Sequence, residues 1–137
     1  MRTYSKIIVM ATKEKTAVMT TKEIANRLTE LCRKGEWAQA QKELYADDAV
    51  SIEPVATPAF EKETKGLDAI LEKGEKFDAM VEDYHSINIA EPLVAGNSIA
   101  FVLDMDLTMK GRKRETMSEL CVYDVKDGKI VSEQFHM

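Results

Sequence analysis

Two glutamates stand out because each lies within an apolar strand pattern. Glu53 closes the segment Leu44–Pro54, where a helical pattern stops and a strand begins, and Glu119 lies in a later strand among apolar neighbours. A carboxylate moved out of water keeps its charge only with a partner and otherwise holds its proton. Two carboxylates on one half-buried sheet face are therefore either a costly accident or a site for acid–base chemistry.

Both glutamates also have plainer interpretations that the sequence leaves open. Glu53 could be an exposed carboxylate at a strand end, which is the ordinary place for a lone glutamate. Glu119 could instead pair across a strand with Arg112 or Arg114, an interaction worth about 0.2–1 kcal/mol.

Other side chains could complete a site around the two carboxylates. His85 shares a strand face with Ile87 and Ile89, so we expect it to point inward, although a histidine there is more often a packed core residue. Several aromatic residues and methionines are expected to form the core or a pocket wall. The candidate donors are Tyr45, Tyr84, Tyr123 and His85, and the candidate wall residues are Trp37, Phe60, Phe77, Met80, Phe101, Met105 and Met117.

Composition excludes several classes of function. The chain has 137 residues and a net charge of -5, and its longest basic run is the short turn 110–114, so we expect one domain and no nucleic-acid partner. Cys32 and Cys121 are the only cysteines and have no metal-ligand spacing, which predicts no metal site and favours the cytoplasm. Neither a phosphate-binding loop nor a nucleophile elbow is present, so no cofactor is expected. The apolar run Ile7–Ala11 is too short for a signal peptide or membrane span.

Apolar residues recur at helical spacing in the first part of the chain and at every second position, as in strands, in the later part. Thr20–Glu23 has the spacing of a capping box, so residues 1–18 are expected to be a loosely ordered extension, or translation begins at Met19, and 19–137 form one domain. Helices are predicted from Thr21 to a left-handed cap at Gly35, then over Glu36–Tyr45, and from Leu67 to Val81. A short strand is predicted over Ala49–Glu53, followed by a loop over 54–66 that could be a pocket mouth, and later strands over Asp83–Glu91, Ser98–Lys110, Arg114–Val125 and Lys129–His136.

With these elements in place, the chain resembles the NTF2-like superfamily, and within it the SnoaL-like polyketide cyclase and ketosteroid isomerase group. The resemblance covers residues 20–137. It implies an α+β fold, a cone-shaped barrel in which three N-terminal helices pack on a curved, mostly antiparallel sheet. The segments that carry it are Gly35–Trp37, Leu44–Pro54, Thr64–Gly66 and Tyr123–Val131.

The resemblance also implies roles for the two glutamates. Glu53, directly before Pro54, stands where ketosteroid isomerases keep their general base, and Glu119 falls where they keep a protonated carboxylic acid that donates to the enolate. Those isomerases also place a donor tyrosine on the first helix, whereas 21–34 contains none, which argues against steroid isomerisation itself.

The function that follows is a cofactor-independent isomerase or cyclase acting on a small hydrophobic or carbonyl-bearing molecule. Two alternatives remain open: a non-catalytic binding protein for a small hydrophobic metabolite, and a dimeric interaction module. A homodimer is expected, because the polar sheet face that carries Asp104 and Asp106 could serve as a pairing surface in the manner common to the superfamily that the chain resembles. No membrane partner is expected.

Overall fold

The computed structural model describes residues 18–137, so the predicted extension 1–18 lies outside the described residues except for Val18. Within this part, helices and strands follow the predicted α+β order, and no helix has the length and hydropathy needed to cross a membrane. In chain order the elements are α1 (Thr21–Arg33), α2 (Trp37–Leu44), β1 (Tyr45–Ile52), β2 (Glu63–Lys65), α3 (Leu67–Met80), β3 (Val81–Ile89), β4 (Leu93–Ala95), β5 (Ser98–Met109), β6 (Arg114–Lys126) and β7 (Lys129–His136).

Both ends of α1 have the predicted caps. The Thr20 hydroxyl accepts from the Glu23 amide at 3.1 Å, and the Glu23 carboxylate accepts from the Thr20 amide at 2.9 Å, which confirms the capping box. At the other end Gly35 has φ +73°, and the Glu36 amide donates to the Leu31 carbonyl at 3.0 Å. This is a Schellman motif, and it turns the chain directly into α2.

The cap at Gly35 gives a stability prediction with a matched control. Gly35→Ala should lower the free energy of unfolding by about 1–2 kcal/mol, because alanine resists the left-handed conformation. An added Cβ would lie 3.6 Å from Ile87, an ordinary contact, so the cost comes from the backbone. Gly74→Ala in α3 meets nothing within 4 Å and should instead stabilise by about 0.5–1 kcal/mol. Urea unfolding of both variants tests this, and equal stability of Gly35→Ala and wild type would contradict it.

The strands form the predicted curved, mostly antiparallel sheet, but the sheet is open and does not close into a barrel. Its order is β2-β1-β7-β6-β5-β3, with β4 also pairing with β5. The β1–β7 pair is parallel, and all the other pairs are antiparallel. Helix α3 contacts β1 and β2 near one edge and β3 at the other. Helix α3 therefore covers the gap between the two edges of the sheet, which would have to pair with each other to close a barrel.

The concave face of this sheet and the helices enclose the core. Along β5 the predicted alternation is confirmed, since residues from Ile99 to Met109 at every second position are buried while Asp104 is exposed on the opposite face. Leu28, Leu31 and Leu44 of the helices are also fully buried or nearly so. This leaves one apolar concave side that can hold a pocket.

Several predicted boundaries are wrong where tertiary pairing overrides local pattern. Helix α2 ends at Leu44 and β1 begins at Tyr45, four residues before the predicted strand, because the buried Tyr45 already pairs with β7. The predicted loop 54–66 contains β2, which pairs with β1, and the predicted connector after β3 contains β4, which pairs with β5. Both extra strands have only three residues, too few to show alternation.

Candidate functional site

A cavity of about 200 Å³ lies between the concave sheet face and the helices. For comparison, an apolar cavity of about 150 Å³ holds one benzene molecule, so this one suits a ligand of one or two rings. Phe60 contributes to its wall from the loop that the sequence suggested as a pocket mouth. Most of the lining is apolar, and includes Trp37, Phe60, Ile70, Phe77, Leu103, Met105, Met117 and Phe135.

One polar corner of the cavity is an ion pair between β1 and α3. Glu53 directly follows β1, and its Oε2 atom lies 2.7 Å from the Nζ atom of Lys73. The two side chains are 24% and 14% exposed, so the pair is screened from water but reachable from the cavity. The Lys73 Nζ atom also donates to the Ser51 hydroxyl at 2.7 Å.

Behind this pair lies a third carboxyl group, Glu133 of β7. Glu133 is only 3% exposed, and it accepts hydrogen bonds from the Ser51 hydroxyl at 2.6 Å and from the Tyr45 hydroxyl. Burial raises the pKa of Glu133, while these two hydroxyl donors and the charge of Lys73 act in the opposite direction. A continuous hydrogen-bonded chain therefore runs from Glu53 through Lys73 and Ser51 to Glu133.

Glu119 of β6 reaches the cavity without such support. Within residues 18–137 no side-chain hydrogen bond or ion pair involves it. Burial, together with the charges of Glu53 and Glu133, raises the pKa of Glu119 to about 7, while the charge of Lys73 acts in the opposite direction. Glu119 is therefore a carboxyl group able to hold or release a proton near neutral pH.

The arginine pairing considered for Glu119 is wrong. Arg114 instead binds Asp106 through two hydrogen bonds of 2.9 and 2.8 Å, and Arg112 lies 3.5 Å from Glu115. Both contacts are exposed to solvent, whereas Glu119 shares its strand face with the buried Cys121. Strand alternation places Arg114 on the opposite face of β6 from Glu119, and Arg112 lies in the turn between β5 and β6.

Most of the predicted site residues line the cavity, but four do not. The Tyr84 hydroxyl donates to the Asp78 carboxylate at 2.6 Å on the exposed side. Phe101 is buried in the core and stacks on the Tyr123 ring at 5.4 Å between centroids, and Met80 packs against the core. The inward orientation expected for His85 is wrong: its Nε2 atom lies 2.8 Å from the Thr108 hydroxyl on the exposed side, at an irregularity in the β3–β5 pairing. Those that line the cavity are Glu53, Glu119, Tyr45, Trp37, Phe60, Phe77, Met105, Met117 and Tyr123.

Sequence reasoning missed Lys73, Ser51 and Glu133. Lys73 had a detectable signal, because it lies three residues after Ile70 and four before Phe77 and so falls on the apolar stripe of α3. Ser51 lies two residues before Glu53, and residues at this spacing in a strand share one face. Among residues 18–137 no group of three or more histidine, cysteine or acidic residues is arranged to hold a metal ion.

The environment of Glu119 predicts a pH-dependent stability. Between its ordinary pKa of 4.5 and its folded pKa of about 7, the folded state binds more protons than the unfolded state, so stability falls as pH rises through this window. Glu119→Gln should therefore stabilise the protein by about 2–3 kcal/mol at about pH 8 and have little effect at about pH 4.

Urea unfolding of wild type and Glu119→Gln at both pH values measures this difference. Glu53, Glu133 and Lys73 face the same cavity and are present in both proteins, so the comparison reports on Glu119. A stability difference that does not change with pH would contradict the prediction.

Comparisons with known proteins agree with this architecture. The family model for the SnoaL-like domain matches residues 19–137. A protein from Mesorhizobium loti, provisionally named a SnoaL-like polyketide cyclase and also labelled a carbohydrate phosphatase, is 33% identical, and the match covers 87% of this chain and 100% of that one with a TM-score of 0.81. No protein of curated function matches the sequence.

Two more distant solved structures share the fold. A protein with a ketosteroid isomerase-like fold from Catenulispora acidiphila, solved with trimethylamine, is 19% identical over 86% of this chain and 87% of that one, with a TM-score of 0.66. A provisionally named polyketide cyclase from Pseudomonas putida is 14% identical over 87% of this chain and 92% of that one, with a TM-score of 0.65. At these identities the likeness concerns the fold alone.

Proposed function

The chain belongs to the SnoaL-like family, and from this premise we propose that it removes a proton next to a carbonyl group in a small cyclic molecule, as an isomerase or cyclase. Glu53 is the base. Glu119 is the acid, which donates to the carbonyl oxygen or returns a proton to a second carbon. No cofactor takes part in this scheme.

One observation carries the proposal: two carboxyl groups with different environments line one apolar cavity. Glu53 forms an ion pair with Lys73 at 2.7 Å, whereas burial and neighbouring charges raise the pKa of Glu119 to about 7. A pair of carboxyl groups whose environments differ in this way can supply one base and one acid at neutral pH. The apolar wall excludes water, which strengthens the electrostatic interactions of the reacting groups.

The test is exchange of carbon-bound hydrogen for deuterium, because it needs no knowledge of the final product. One- and two-ring ketones, such as cyclohexanone and 2-tetralone, are incubated with the protein in deuterium oxide and followed by proton NMR. Protein-dependent exchange that is lost in Glu53→Gln supports the proposal. Exchange at the buffer rate for every ketone, although they bind in the cavity, argues against it.

Ligand binding without chemistry is a second candidate function, and the ion pair favours it. Lys73 already neutralises Glu53, and the hydroxyl groups of Ser51 and Tyr45 already donate to Glu133, so these polar groups could serve the fold alone. In that case Glu53→Gln and Glu119→Gln should change only the affinity for a small apolar ligand.

The buried free thiols of Cys32 and Cys121 fit a reducing compartment such as the cytoplasm.

We also propose that two copies pair through the outer sheet face. Val102 of β5 and Leu120 of β6 lie directly opposite each other on this face and are 38% and 42% exposed. A symmetric dimer would bury this apolar pair of one copy against the same pair of the other copy.

Leu120→Glu should therefore convert a dimer of twice the 15.4 kDa chain mass into a monomer, because like charges would meet across the symmetry axis. Light scattering coupled to size-exclusion chromatography measures the mass. Leu93→Glu, at the most exposed of the large apolar residues in the strands, is the control and should remain dimeric. If the wild-type protein is already a monomer, the proposed dimer is wrong.

A further inference from the structure

We propose that Lys73 is the oxyanion-binding residue of the cavity, which neutralises Glu53 at rest and binds an enolate or phenolate oxygen of the ligand once Glu53 is protonated. The inference rests on the proposed function for its reaction. It adds a residue outside the predicted site, and it narrows the ligand class to one- or two-ring molecules that carry an acidic or enolisable oxygen function.

The position of Lys73 suits this role. Its Nζ atom lies 2.7 Å from Glu53 Oε2 and 2.7 Å from Ser51 Oγ. These contacts use two of the three N–H donors that an ammonium group carries. The ring of Phe135, itself part of the cavity wall, lies 5.8 Å from the Nζ atom. Lys73 can therefore remain anchored to Ser51 while it exchanges one anionic partner for another.

The charge balance of the reaction requires such a partner. When Glu53 takes the proton, the carbon–hydrogen bond breaks, an oxygen–hydrogen bond forms on Glu53, and the electron pair moves to the carbonyl oxygen of the ligand. Glu53 becomes neutral as the ligand becomes an enolate. Lys73 thus loses its counter-charge in the step that creates a new anion beside it, so the site exchanges one ion pair for another and buries no unpaired charge.

The other polar groups of the cavity are less suited to this role. Lys73 is the only cationic side chain that lines the cavity in the described part of the chain. The hydroxyl groups of Tyr45 and Ser51 both donate to Glu133, and so are already in use. Glu119 can donate a hydrogen bond while it is protonated, but a neutral donor does not balance the charge of an enolate.

Binding of 4-nitrophenol tests the inference without any turnover, because its visible absorbance reports whether the bound molecule is phenol or phenolate. Glu53→Gln imitates the neutral state of Glu53 and frees the Lys73 charge for the ligand. We expect this variant to bind the phenolate about tenfold tighter than wild type, or more, as a charge-assisted hydrogen bond would give. The double variant Glu53→Gln/Lys73→Met should lose the whole gain.

Matched variants make the result interpretable. Lys42→Met removes the same charge from an exposed position on α2 and should bind the phenolate as wild type does. Lys73→Gln serves as a second substitution in the Glu53→Gln background, and thermal unfolding checks that each variant is folded. If Glu53→Gln/Lys73→Met does not fold, Glu53→Gln/Lys73→Gln should show the same loss of phenolate affinity.

Equal phenolate affinity of Glu53→Gln with and without Lys73 overturns the inference. Absence of phenolate binding to Glu53→Gln overturns it too. These outcomes differ from a failure of the proposed function, which is the absence of Glu53-dependent deuterium exchange. A Lys73-dependent gain in phenolate binding without any exchange would keep Lys73 as an anion-binding residue in a protein that binds but does not react.

Discussion

Glu53→Gln is expected to slow protein-catalysed deuterium exchange of a bound ketone by about 10²–10⁴-fold, the usual contribution of a positioned general base. The amide of glutamine has nearly the shape of the carboxylate and can still accept a hydrogen bond from Lys73, but it cannot take a proton from carbon. The affinity for the neutral ketone should therefore change little, so the loss appears in the rate constant of the bound complex.

The measurement is the exchange rate at saturating ketone, followed by NMR for wild type and variant under the same conditions. Glu63→Gln is the matched control, because Glu63 is an exposed carboxylate on β2, where it pairs with Ile52 next to Glu53. It should exchange at the wild-type rate. If Glu53→Gln also exchanges at that rate, another group is the base.

Local signals predicted the ends of elements well. The capping box at Thr20, the left-handed cap at Gly35 and the short turn left between the predicted strands Arg114–Val125 and Lys129–His136 each depend on only a few neighbouring residues. In that turn Asp127 and Gly128 both have positive φ, at 53° and 76°, as a tight two-residue hairpin requires. Such features are set by backbone sterics and nearby hydrogen bonds, so sequence alone is sufficient to locate them.

Glu133 could not be placed in this way because a strand irregularity changes its side. Counted from the buried Ile130 in steps of two, Ser132 and Gln134 should face inward and Glu133 outward. The register between β6 and β7 shifts just there, so that Ile130 opposes Val125 while Glu133 opposes the buried Tyr123. A one-residue shift reverses the faces of a strand, and nothing local in the sequence announces it.

The cavity was also beyond sequence reasoning, although much of its wall was not. Trp37, Phe77 and Met117 were identified as core or pocket wall, and they line the cavity, whereas Phe101, from the same pattern, packs behind Tyr123. Periodicity gives the face on which a side chain lies. Whether the side chains on that face pack tightly or leave a cavity depends on the distance between α3 and the sheet, which tertiary packing sets.

Glu133→Ala is expected to lower the free energy of unfolding by about 3–5 kcal/mol, because it removes the acceptor of two buried hydroxyl groups and leaves a void. The Ser51 and Tyr45 side chains are 0% and 4% exposed as residues, so water cannot easily replace the lost carboxyl group. Glu133→Gln should cost only about 1 kcal/mol, since its amide oxygen still accepts a hydrogen bond.

Urea unfolding at one fixed pH compares these two variants with Glu82→Ala, which removes an exposed carboxylate from β3 and should change stability by less than about 0.5 kcal/mol. The stabilities of Glu133→Ala and Glu133→Gln, compared with each other, show whether the Ser51 and Tyr45 hydroxyl groups depend on the Glu133 carboxyl group. If Glu133→Ala were as stable as Glu133→Gln, the hydroxyl groups would not depend on it. A large loss for alanine alone means that Glu133 holds Ser51 in place, and with it the hydrogen bond that anchors Lys73 beside Glu53.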